Sequence, residues 1–286
     1  MTALVLGSCR YDLDTKVLVM GILNRTRDSF SDRDAYWRLD DLLRRAEQLV
    51  SDGADLLDIG ARPGGVGVRE VSQAEECDLV AETVTAVRAR FDVPISVDTT
   101  RAAVARAGFA AGAVLGNDMS GFRDPDYLAV AAEARASVVA THIRLPPGVP
   151  DPDPHYDDVV ADVHAALHGL VRRAREHGLD AERVVLDPGL DLGKTWQQSV
   201  RLLAAMARFA DLGHPLLLGA SNKIFLGRLL GLAVDDRGAA SVAAAAVGVL
   251  RGCRVLRVHD ARGARHAADL AAAVLRADRA HPGTEM

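Results

Sequence analysis

The chain has 286 residues, of which 49% are hydrophobic and 26% are charged, and its formal net charge is -5 at pH 7. This composition is typical of a folded globular protein, and it offers no bulk electrostatic attraction for nucleic acid or an anionic membrane. No apolar stretch reaches the roughly 18 residues of a membrane span, and Cys9, Cys77 and Cys253 lack the spacing of a metal site or a disulfide framework. We therefore expect a cytoplasmic protein that binds neither nucleic acid nor a membrane.

Short apolar segments, each with a polar residue at or near its downstream end, alternate with helical patterns along most of the chain. Residues 1–16 precede the first such segment and are expected to form a small hairpin around Ser8 to Asp14. The eight segments and their polar residues are VLVMGIL with Asn24, ADLLDI with Asp58, VPISV with Asp98, AVLG with Asn117, SVVAT with His142, RVVL with Asp187, PLLLGA with Ser221 and Lys223, and RVLRV with His259. Near-continuous apolar segments favour parallel strands covered on both faces, and the patterns between them, such as Leu39 to Val50, have the period of amphipathic helices.

This alternation predicts an α/β fold in which residues 1–286 form a single (β/α)8 TIM barrel with a short N-terminal hairpin. No linker or low-complexity segment divides the sequence, and such barrels commonly use about 250 residues. The active site of this fold lies at the carboxyl ends of the strands, because the loops that follow them converge there. Polar residues at so many strand ends therefore predict an enzyme with one pocket.

Four of these strand ends have the composition of binding segments. Asn24 to Asp32 has too little apolar surface to pack, which is typical of a loop that contacts a ligand. Asp187 to Lys194 places a carboxylate before a sharp Pro-Gly turn, where it can accept two N–H donors from a planar heterocycle. Gly219 to Gly227 brings a hydroxyl and an ammonium within two residues, and in Arg257 to Asp260 the guanidinium and the imidazole alternate on one strand face, which suits phosphate oxygens. Taken singly, each also fits a plain role as a connecting loop, a turn cap or a satisfied surface pair.

In chain order, these segments resemble the dihydropteroate synthases and the wider family of pterin-binding barrels, and the resemblance extends from Val19 to Asp260. The family motifs MGILNVTPDSFSD, SVDT, NDxSG, DPGxGFGK and RVHD are similar to Met20 to Asp32, Ser96 to Thr99, Asn117 to Gly121, Asp187 to Lys194 and Arg257 to Asp260. The resemblance implies transfer of a 7,8-dihydropterin-6-ylmethyl group from its diphosphate to p-aminobenzoate or a related arylamine, with release of pyrophosphate.

The resemblance also implies a role for individual residues. The residues implied to contact the pterin are Asp98, Asn117, Asp187 and Lys223, of which Asp98, Asp187 and Lys223 are the implied catalytic residues. The residues implied to hold the pyrophosphate are Asn24, Arg257 and His259, with Asn24 assisting a Mg2+ cofactor. Ser221 and Asn222 are implied to face the arylamine. Because the family forms homodimers through late helices of the barrel, the resemblance implies a homodimer through Arg237 to Leu250.

The sequence departs from the family pattern mainly around the arylamine. Asn222 replaces an arginine, Asp191 and Leu192 replace Gly-Phe, and Gly60 to Gly67 differs from the family's GGESTRPG loop. Arg25 and Arg27 replace Val and Pro in the first loop, and either could join Ser221 in contacting the arylamine carboxylate.

Three hypotheses stay open. The first is a working dihydropteroate synthase. The second is a pterin-binding paralogue with another acceptor or no synthase activity, similar to diverged synthase-like proteins of actinobacteria. The third is a methyltetrahydrofolate-binding methyltransferase domain, which shares the barrel but does not handle pyrophosphate. The Arg257 and His259 pair and the loop after Asn24 argue against the third.

Overall fold

The structure is a computed structural model, and it describes residues 2–25, 38–60 and 71–280. It begins with an antiparallel hairpin of β1 (Ala3–Leu6) and β2 (Cys9–Asp12), which turns at Gly7 with φ 61°. The hairpin lies across the N-terminal end of the barrel, where Leu4, Leu6 and Leu13 pack against inward-facing strand residues. The predicted hairpin is therefore confirmed, although it starts earlier in the chain than Ser8.

Eight parallel strands form the barrel. They are β3 (Leu18–Asn24), β4 (Leu56–Gly60), β5 (Ile95–Asp98), β6 (Leu115–Asp118), β7 (Ser137–Thr141), β8 (Val184–Asp187), β9 (Leu217–Leu218) and β10 (Val255–Val258). Their order in the sheet is β8-β7-β6-β5-β4-β3-β10-β9. The barrel closes between its first and last members through an isolated parallel bridge between Leu186 and Leu216. The predicted (β/α)8 barrel is confirmed.

Helices separate the strands and cover the outside of the barrel. They are α1 (Leu39–Ser51), α2 (Gln73–Arg88), α3 (Ala102–Ala111), α4 (Tyr127–Glu133), α5 (Val159–Glu176), α6 (Trp196–Ala204), α7 (Met206–Ala210), α8 (Ile224–Leu230), α9 (Gly238–Leu250) and α10 (Ala261–Ala280). Their apolar faces and the outward side chains of the strands form the larger core, while a smaller core fills the barrel interior. In residues 2–25, 38–60 and 71–280, no helix is both long and apolar enough to cross a membrane.

Candidate active site

The residues predicted to contact a pterin all lie at the C-terminal end of the barrel. Asp98 and Asn117 end the adjacent strands β5 and β6 and are paired in register. Asp187 ends β8 and is paired with Thr141 of β7. Lys223 follows β9, and its Nζ donates to the carbonyl oxygen of Leu190, in the loop after Asp187, at 2.5 Å. The structure thus brings these side chains to one mouth.

A buried ion-pair cluster lies between these strand ends. Arg257 on β10 donates from Nε to Asp58 Oδ2 at 2.6 Å and from Nη2 to Asp98 Oδ2 at 2.5 Å. Asn117 Nδ2 donates to the same Asp58 oxygen at 3.0 Å. Asp58 has no solvent exposure, and its Oδ1 has no hydrogen-bond partner in the described part of the chain. The sequence predicts Asp58 only as a strand-end residue, whereas in the structure Asp58 positions both Arg257 and Asn117.

His259 lies apart from the Arg257 ion pairs. Its Nδ1 is 2.9 Å from Ser221 Oγ, and its backbone N–H donates to the same oxygen at 3.2 Å. Burial, together with the positive charges of Arg257 and Arg45, lowers the pKa of His259 to about 4. The imidazole is therefore neutral at physiological pH. The Ser221 hydroxyl accepts from the backbone N–H and is also within hydrogen-bond distance of Nδ1, an arrangement compatible with a ring hydrogen on Nε2.

Asn24, at the end of β3, is paired in register with Gly60 on β4, and Gly60 is paired with Asp98 on β5. A Cβ at Gly60 would lie 2.9 Å from Asn24 Oδ1 and 3.6 Å from the Asp98 Cβ. A side chain at this position would therefore displace Asn24 from the mouth. The rest of the first loop, with Arg27, and the second loop from Ala61 to Gly67 lie outside the described residues.

Burial shifts the titration of several groups at the mouth. It raises the pKa of Asp98 to about 7, although the guanidinium of Arg257 acts in the opposite direction. It also raises the pKa of Asp187 and lowers that of Lys223, while each of these two charges favours the charged form of the other. Strongly perturbed groups in one cleft are typical of functional sites.

Lys194 was not among the predicted site residues, yet it lies buried beside Asp187. Its Nζ contacts His142 Nδ1 at 2.9 Å, the carbonyl oxygen of Leu192 at 2.9 Å and that of His142 at 3.3 Å. Burial lowers the pKa of Lys194 to about 7, and burial and Lys194 lower that of His142 to about 3. A sequence signal existed, because only three of the 34 Lys and Arg residues are lysines, Lys16, Lys194 and Lys223. Two of the three lie at the mouth.

A second residue set that the sequence analysis missed lies behind Asp98. Glu76 on α2 has no solvent exposure, and it accepts from Thr99 Oγ1 at 2.7 Å and from Arg101 Nη1 at 2.9 Å. Arg101 also donates to the carbonyl oxygen of Val71 at 3.1 Å. This network fixes the start of α2 against the segment that follows Asp98.

The residues predicted to face the arylamine line an open cavity of about 370 Å3 beside His259. Ser221 and Asn222 contribute to its wall together with Ser241, whose hydroxyl accepts the Asn222 N–H at 2.9 Å. Asn222 has φ 56°, a left-handed conformation that asparagine tolerates better than most residues. A larger cavity of about 640 Å3 lies at the opposite end of the barrel, beside the hairpin and away from these groups.

Arg25 does not extend towards this cavity. Only 7% of the residue is exposed, and its Nη1 contacts Glu82 Oε2 at 2.6 Å and Thr83 Oγ1 at 3.1 Å, both on α2. The guanidinium is thus held against the helix that follows β4, whereas Ser221 follows β9. The structure therefore gives no support to Arg25 as a contact for the arylamine.

The profile of the family described as "Pterin binding enzyme" matches residues 20–259. The dihydropteroate synthase of Bacillus subtilis is 37% identical over 269 residues, which cover 94% of this chain and 92% of that protein. The chain belongs to the dihydropteroate synthase family. The Escherichia coli family member is 36% identical over 244 residues, which cover 85% of this chain and 86% of that protein.

Solved structures of the dihydropteroate synthase family have the same fold. The Yersinia pestis enzyme in a sulfonamide drug complex has a TM-score of 0.91 and 36% identity, and the match covers 96% of this chain and 100% of that chain. The Xanthomonas albilineans enzyme with 4-aminobenzoic acid has a TM-score of 0.86 and 37% identity, and the match covers 98% and 99% of the two chains. These matches favour the synthase hypothesis over the methyltransferase alternative.

Proposed function

We propose that this protein is a dihydropteroate synthase, a transferase that joins a 7,8-dihydropterin-6-ylmethyl group to p-aminobenzoate and releases pyrophosphate. The observation that carries this proposal is the placement of Asp98, Asn117, Asp187 and Lys223 at one barrel mouth, in a chain that belongs to the synthase family. We also propose that residues 1–286 form one pterin-binding domain.

The chemistry of the mouth suits a planar heterocycle with hydrogen-bond donors and acceptors along its edge. Carboxylates at Asp98 and Asp187 accept N–H donors, the Asn117 amide both donates and accepts, and the Lys223 ammonium donates. One oxygen of Asp187 already accepts the Gly189 N–H at 2.8 Å, which fixes the orientation of the carboxylate. Asp187 is therefore the group we assign to the pterin's adjacent N–H donors.

The reaction breaks the bond between the methylene carbon and the diphosphate oxygen and forms a bond from that carbon to the arylamine nitrogen. Positive charge spreads from the methylene into the pterin as the diphosphate leaves. The largely buried carboxylates of Asp98 and Asp187, in their ionised forms, favour that cation because they are held in place in a poorly solvated site. The arylamine then loses one proton to solvent or to the departing diphosphate, so no catalytic triad is required.

Asn24, Arg257 and His259 are proposed to hold the diphosphate. The neutral His259 would donate from Nε2, since its Nδ1 is occupied by Ser221. Arg257 would act from its place between Asp58 and Asp98, where it is 18% exposed. Its positive charge is thus shared between two carboxylates and the leaving anion.

A Mg2+ ion fits the proposed diphosphate site. Mg2+ is usually bound by one or two protein oxygens together with substrate phosphates, and Asn24 Oδ1 is a neutral oxygen of this kind. Across the described residues, no group of three or more His, Cys, Asp or Glu side chains could hold a metal ion, so Asn24 would bind the ion together with the diphosphate. When bound, Mg2+ would neutralise charge on the leaving group.

Asn222 brings no charge to the arylamine site, where the family pattern has an arginine, and this difference supports a second candidate function. Asn222 is held by Ser241, and Arg237 Nη1 donates to the Asn222 carbonyl oxygen at 3.0 Å. Arg25 lies against α2. A pterin-binding paralogue with a different acceptor would have the same pterin residues and this altered acceptor wall.

We expect the protein to form dihydropteroate and pyrophosphate in equal amounts from dihydropterin diphosphate, Mg2+ and p-aminobenzoate. Because position 222 carries no cation, one charged hydrogen bond to the p-aminobenzoate carboxylate, worth about 1.5–3 kcal/mol, is missing. Asn222→Arg should restore it, so the KM for p-aminobenzoate should fall about ten- to a hundredfold in that variant. Asn222→Gln lengthens the side chain without adding charge and serves as the control, with an unchanged KM. Both products are quantified separately, with and without Mg2+.

The two products separate the candidate functions. Pyrophosphate released without dihydropteroate would favour another acceptor, and the absence of both products would contradict the synthase proposal. An equal KM in the parent protein and Asn222→Arg would refute the weakened arylamine site. Sulfonamides compete for the same site in this proposal, so they should inhibit the parent protein weakly.

We propose that the protein is a homodimer through the outer face of α9 and α10. This face exposes Val247, Leu250, Leu270 and Val274, of which Leu270 is 68% exposed. Light scattering at micromolar concentration should give about 61 kDa, twice the 30.4 kDa of one chain. The double variant Leu250→Asp, Leu270→Asp should give monomers. The control Val149→Asp changes an exposed residue in the loop between β7 and α5 and should leave the dimer intact. A monomeric parent protein would contradict the proposal.

A further inference from the structure

Asp191 has a backbone conformation that is unfavourable for its residue type. It lies in the loop after β8 with φ 64°, between Gly189 at 68° and Gly193 at 63°. A left-handed conformation is unfavourable for a residue with a Cβ, although aspartate tolerates it better than most. Such strain persists only where surrounding contacts hold the residue in place. The contacts of the Asp191 side chain therefore indicate what holds the residue in this conformation.

Every polar group of Asp191 other than its carbonyl oxygen has a partner on another element. Its N–H donates to Ser199 Oγ on α6 at 3.0 Å, and the Ser199 hydroxyl contacts Asp191 Oδ1 at 3.1 Å. Its Oδ2 accepts the backbone N–H of Phe225, in the first turn of α8, at 3.0 Å. One side chain thus joins the loop after β8, helix α6 and helix α8.

The bond to Phe225 meets a requirement that the local sequence of α8 cannot meet. The N-cap residue of α8 is Lys223, whose side chain makes no capping hydrogen bond. N-cap positions favour Ser, Thr, Asp or Asn because these side chains accept a backbone N–H of the first turn, and lysine has no acceptor. Asp191 supplies the missing acceptor from a different loop.

A second bond runs between the same two segments in the opposite direction. Lys223 Nζ donates to the carbonyl oxygen of Leu190 at 2.5 Å, while Asp191 Oδ2 accepts from Phe225 at 3.0 Å. Residues 190–191 and 223–225 are therefore fixed to each other by one bond from each side. These two segments follow β8 and β9, the strands whose ends carry Asp187 and Lys223.

Charge at Lys223 depends on the same contacts. Burial lowers the pKa of Lys223, and five charged groups face it, namely Asp187, Asp191, Asp98, Arg257 and Lys194. Asp187, Asp191 and Asp98 favour the ammonium form, with Asp187 the largest of the three and Asp191 next, whereas Arg257 opposes it. Removing the charge of Asp191 should therefore make Lys223 lose its proton at a lower pH.

We propose that Asp191 is a positioning residue that holds Lys223 in place and in its charged form opposite Asp187. Asp191 itself does not touch the pterin in this proposal, and the consequence for pterin binding rests on the function proposed above. The effect on Lys223 does not, because it can be measured in the protein without any ligand.

The chain's three lysines make that measurement direct. In protein labelled with 13C at lysine Cε, three signals arise, from Lys16, Lys194 and Lys223, and Lys16→Arg and Lys194→Arg assign them. Asp191→Asn retains an oxygen acceptor for Phe225 and tolerates the left-handed backbone but removes the charge. We expect its Lys223 titration midpoint to fall by about half a pH unit or more, with little loss of thermal stability.

Asp191→Gly relieves the backbone strain but removes both the charge and the cap. We expect the same fall in the Lys223 midpoint, and about tenfold weaker dihydropterin binding at pH 8 because Lys223 is no longer held in place. The matched control is Asp124→Gly, since Asp124 Oδ2 accepts the Ala102 N–H at the start of α3 at 2.8 Å, again from another segment. It should lower stability without moving the Lys223 midpoint.

An unchanged Lys223 midpoint in both Asp191 variants would overturn the proposal. A shifted midpoint in a protein that binds no dihydropterin would support the role of Asp191 and refute the proposed function instead. A shift of the same size in Asp124→Gly would mean that general loosening of the barrel mouth, rather than Asp191, controls Lys223, and would also overturn the proposal.

Discussion

Asp187→Asn is expected to weaken dihydropterin binding by about 1.5–3 kcal/mol, which is about a ten- to hundredfold higher Kd. Asparagine has the same shape and can still accept the Gly189 N–H that Asp187 Oδ1 accepts at 2.8 Å, so the turn should persist. What is lost is the charge and one of the two acceptors offered to the pterin. Calorimetry with a dihydropterin, in the absence of an arylamine, measures the change.

Asp118→Asn is the matched control for Asp187→Asn. Asp118 is also a buried aspartate at a strand end, but its oxygens accept the backbone N–H groups of Ser120 and Phe122. The Asp118→Asn variant should therefore have a lower free energy of unfolding and an unchanged affinity for the pterin. Equal affinity in Asp187→Asn and the parent protein would rule out Asp187 as the pterin anchor.

Arg257→Met is expected to lower the free energy of unfolding by about 3–5 kcal/mol at pH 9, because it leaves buried charge without its partner. Asp58, with no solvent exposure, and Asp98, whose side chain is 12% exposed, would both lose a contact shorter than 2.7 Å. Methionine fills a similar volume, so the loss reports on charge more than on packing. Urea unfolding at several pH values measures it.

The loss in Arg257→Met should also depend on pH. The folded-state pKa of Asp98 is about 7, above its ordinary value of 3.8, so the stability that Asp98 contributes is lost as pH rises through about 7. Without the guanidinium that pKa rises further, and the variant loses more stability than the parent at high pH. Below pH 7, protonation of Asp98 should reduce the deficit.

Arg262→Met removes an exposed arginine that pairs with Asp52 and has 64% of its side chain exposed. As a control it should cost less than about 1 kcal/mol at every pH, since exposed ion pairs contribute little. If Arg257→Met also lost less than about 1 kcal/mol of unfolding free energy, or if its loss did not change with pH, the proposed role of the buried ion-pair cluster in stability would be contradicted.

The barrel and its polar strand ends were predictable because their signal is local in the sequence. Apolar segments and helical periods alternate, and the order of the elements fixes the topology of a parallel barrel. Asp98, Asn117, Asp187 and Lys223 could be recognised as strand-end residues because each follows such a segment, and the family motifs then singled them out as pterin contacts. The break between α6 and α7 at Ala205 could not be predicted, since no proline or glycine marks it.

The partners of the site residues could not be predicted, because they depend on register between distant strands. Arg257 pairs with Asp58, 199 residues away in sequence, and with Asp98, 159 residues away. Nothing near Arg257 distinguishes these carboxylates from a phosphate as its partner. Arg25 illustrates the same limit, since its ion pair with Glu82 joins a loop to a helix 57 residues later.

The circumference of the barrel is least continuous between β8, which ends at Asp187, and β9, which precedes Lys223. β9 has only two residues. The segment just before it meets β8 through a bridge between Leu216 and Leu186, where the Leu186 N–H donates to the Pro215 carbonyl oxygen at 2.8 Å. Local separation of strands is easiest where the fewest backbone bonds must break. A ligand that contacts both Asp187 and Lys223 would bridge β8 and the segment after β9. The bound substrate would therefore connect the two parts of the barrel that share the fewest backbone hydrogen bonds.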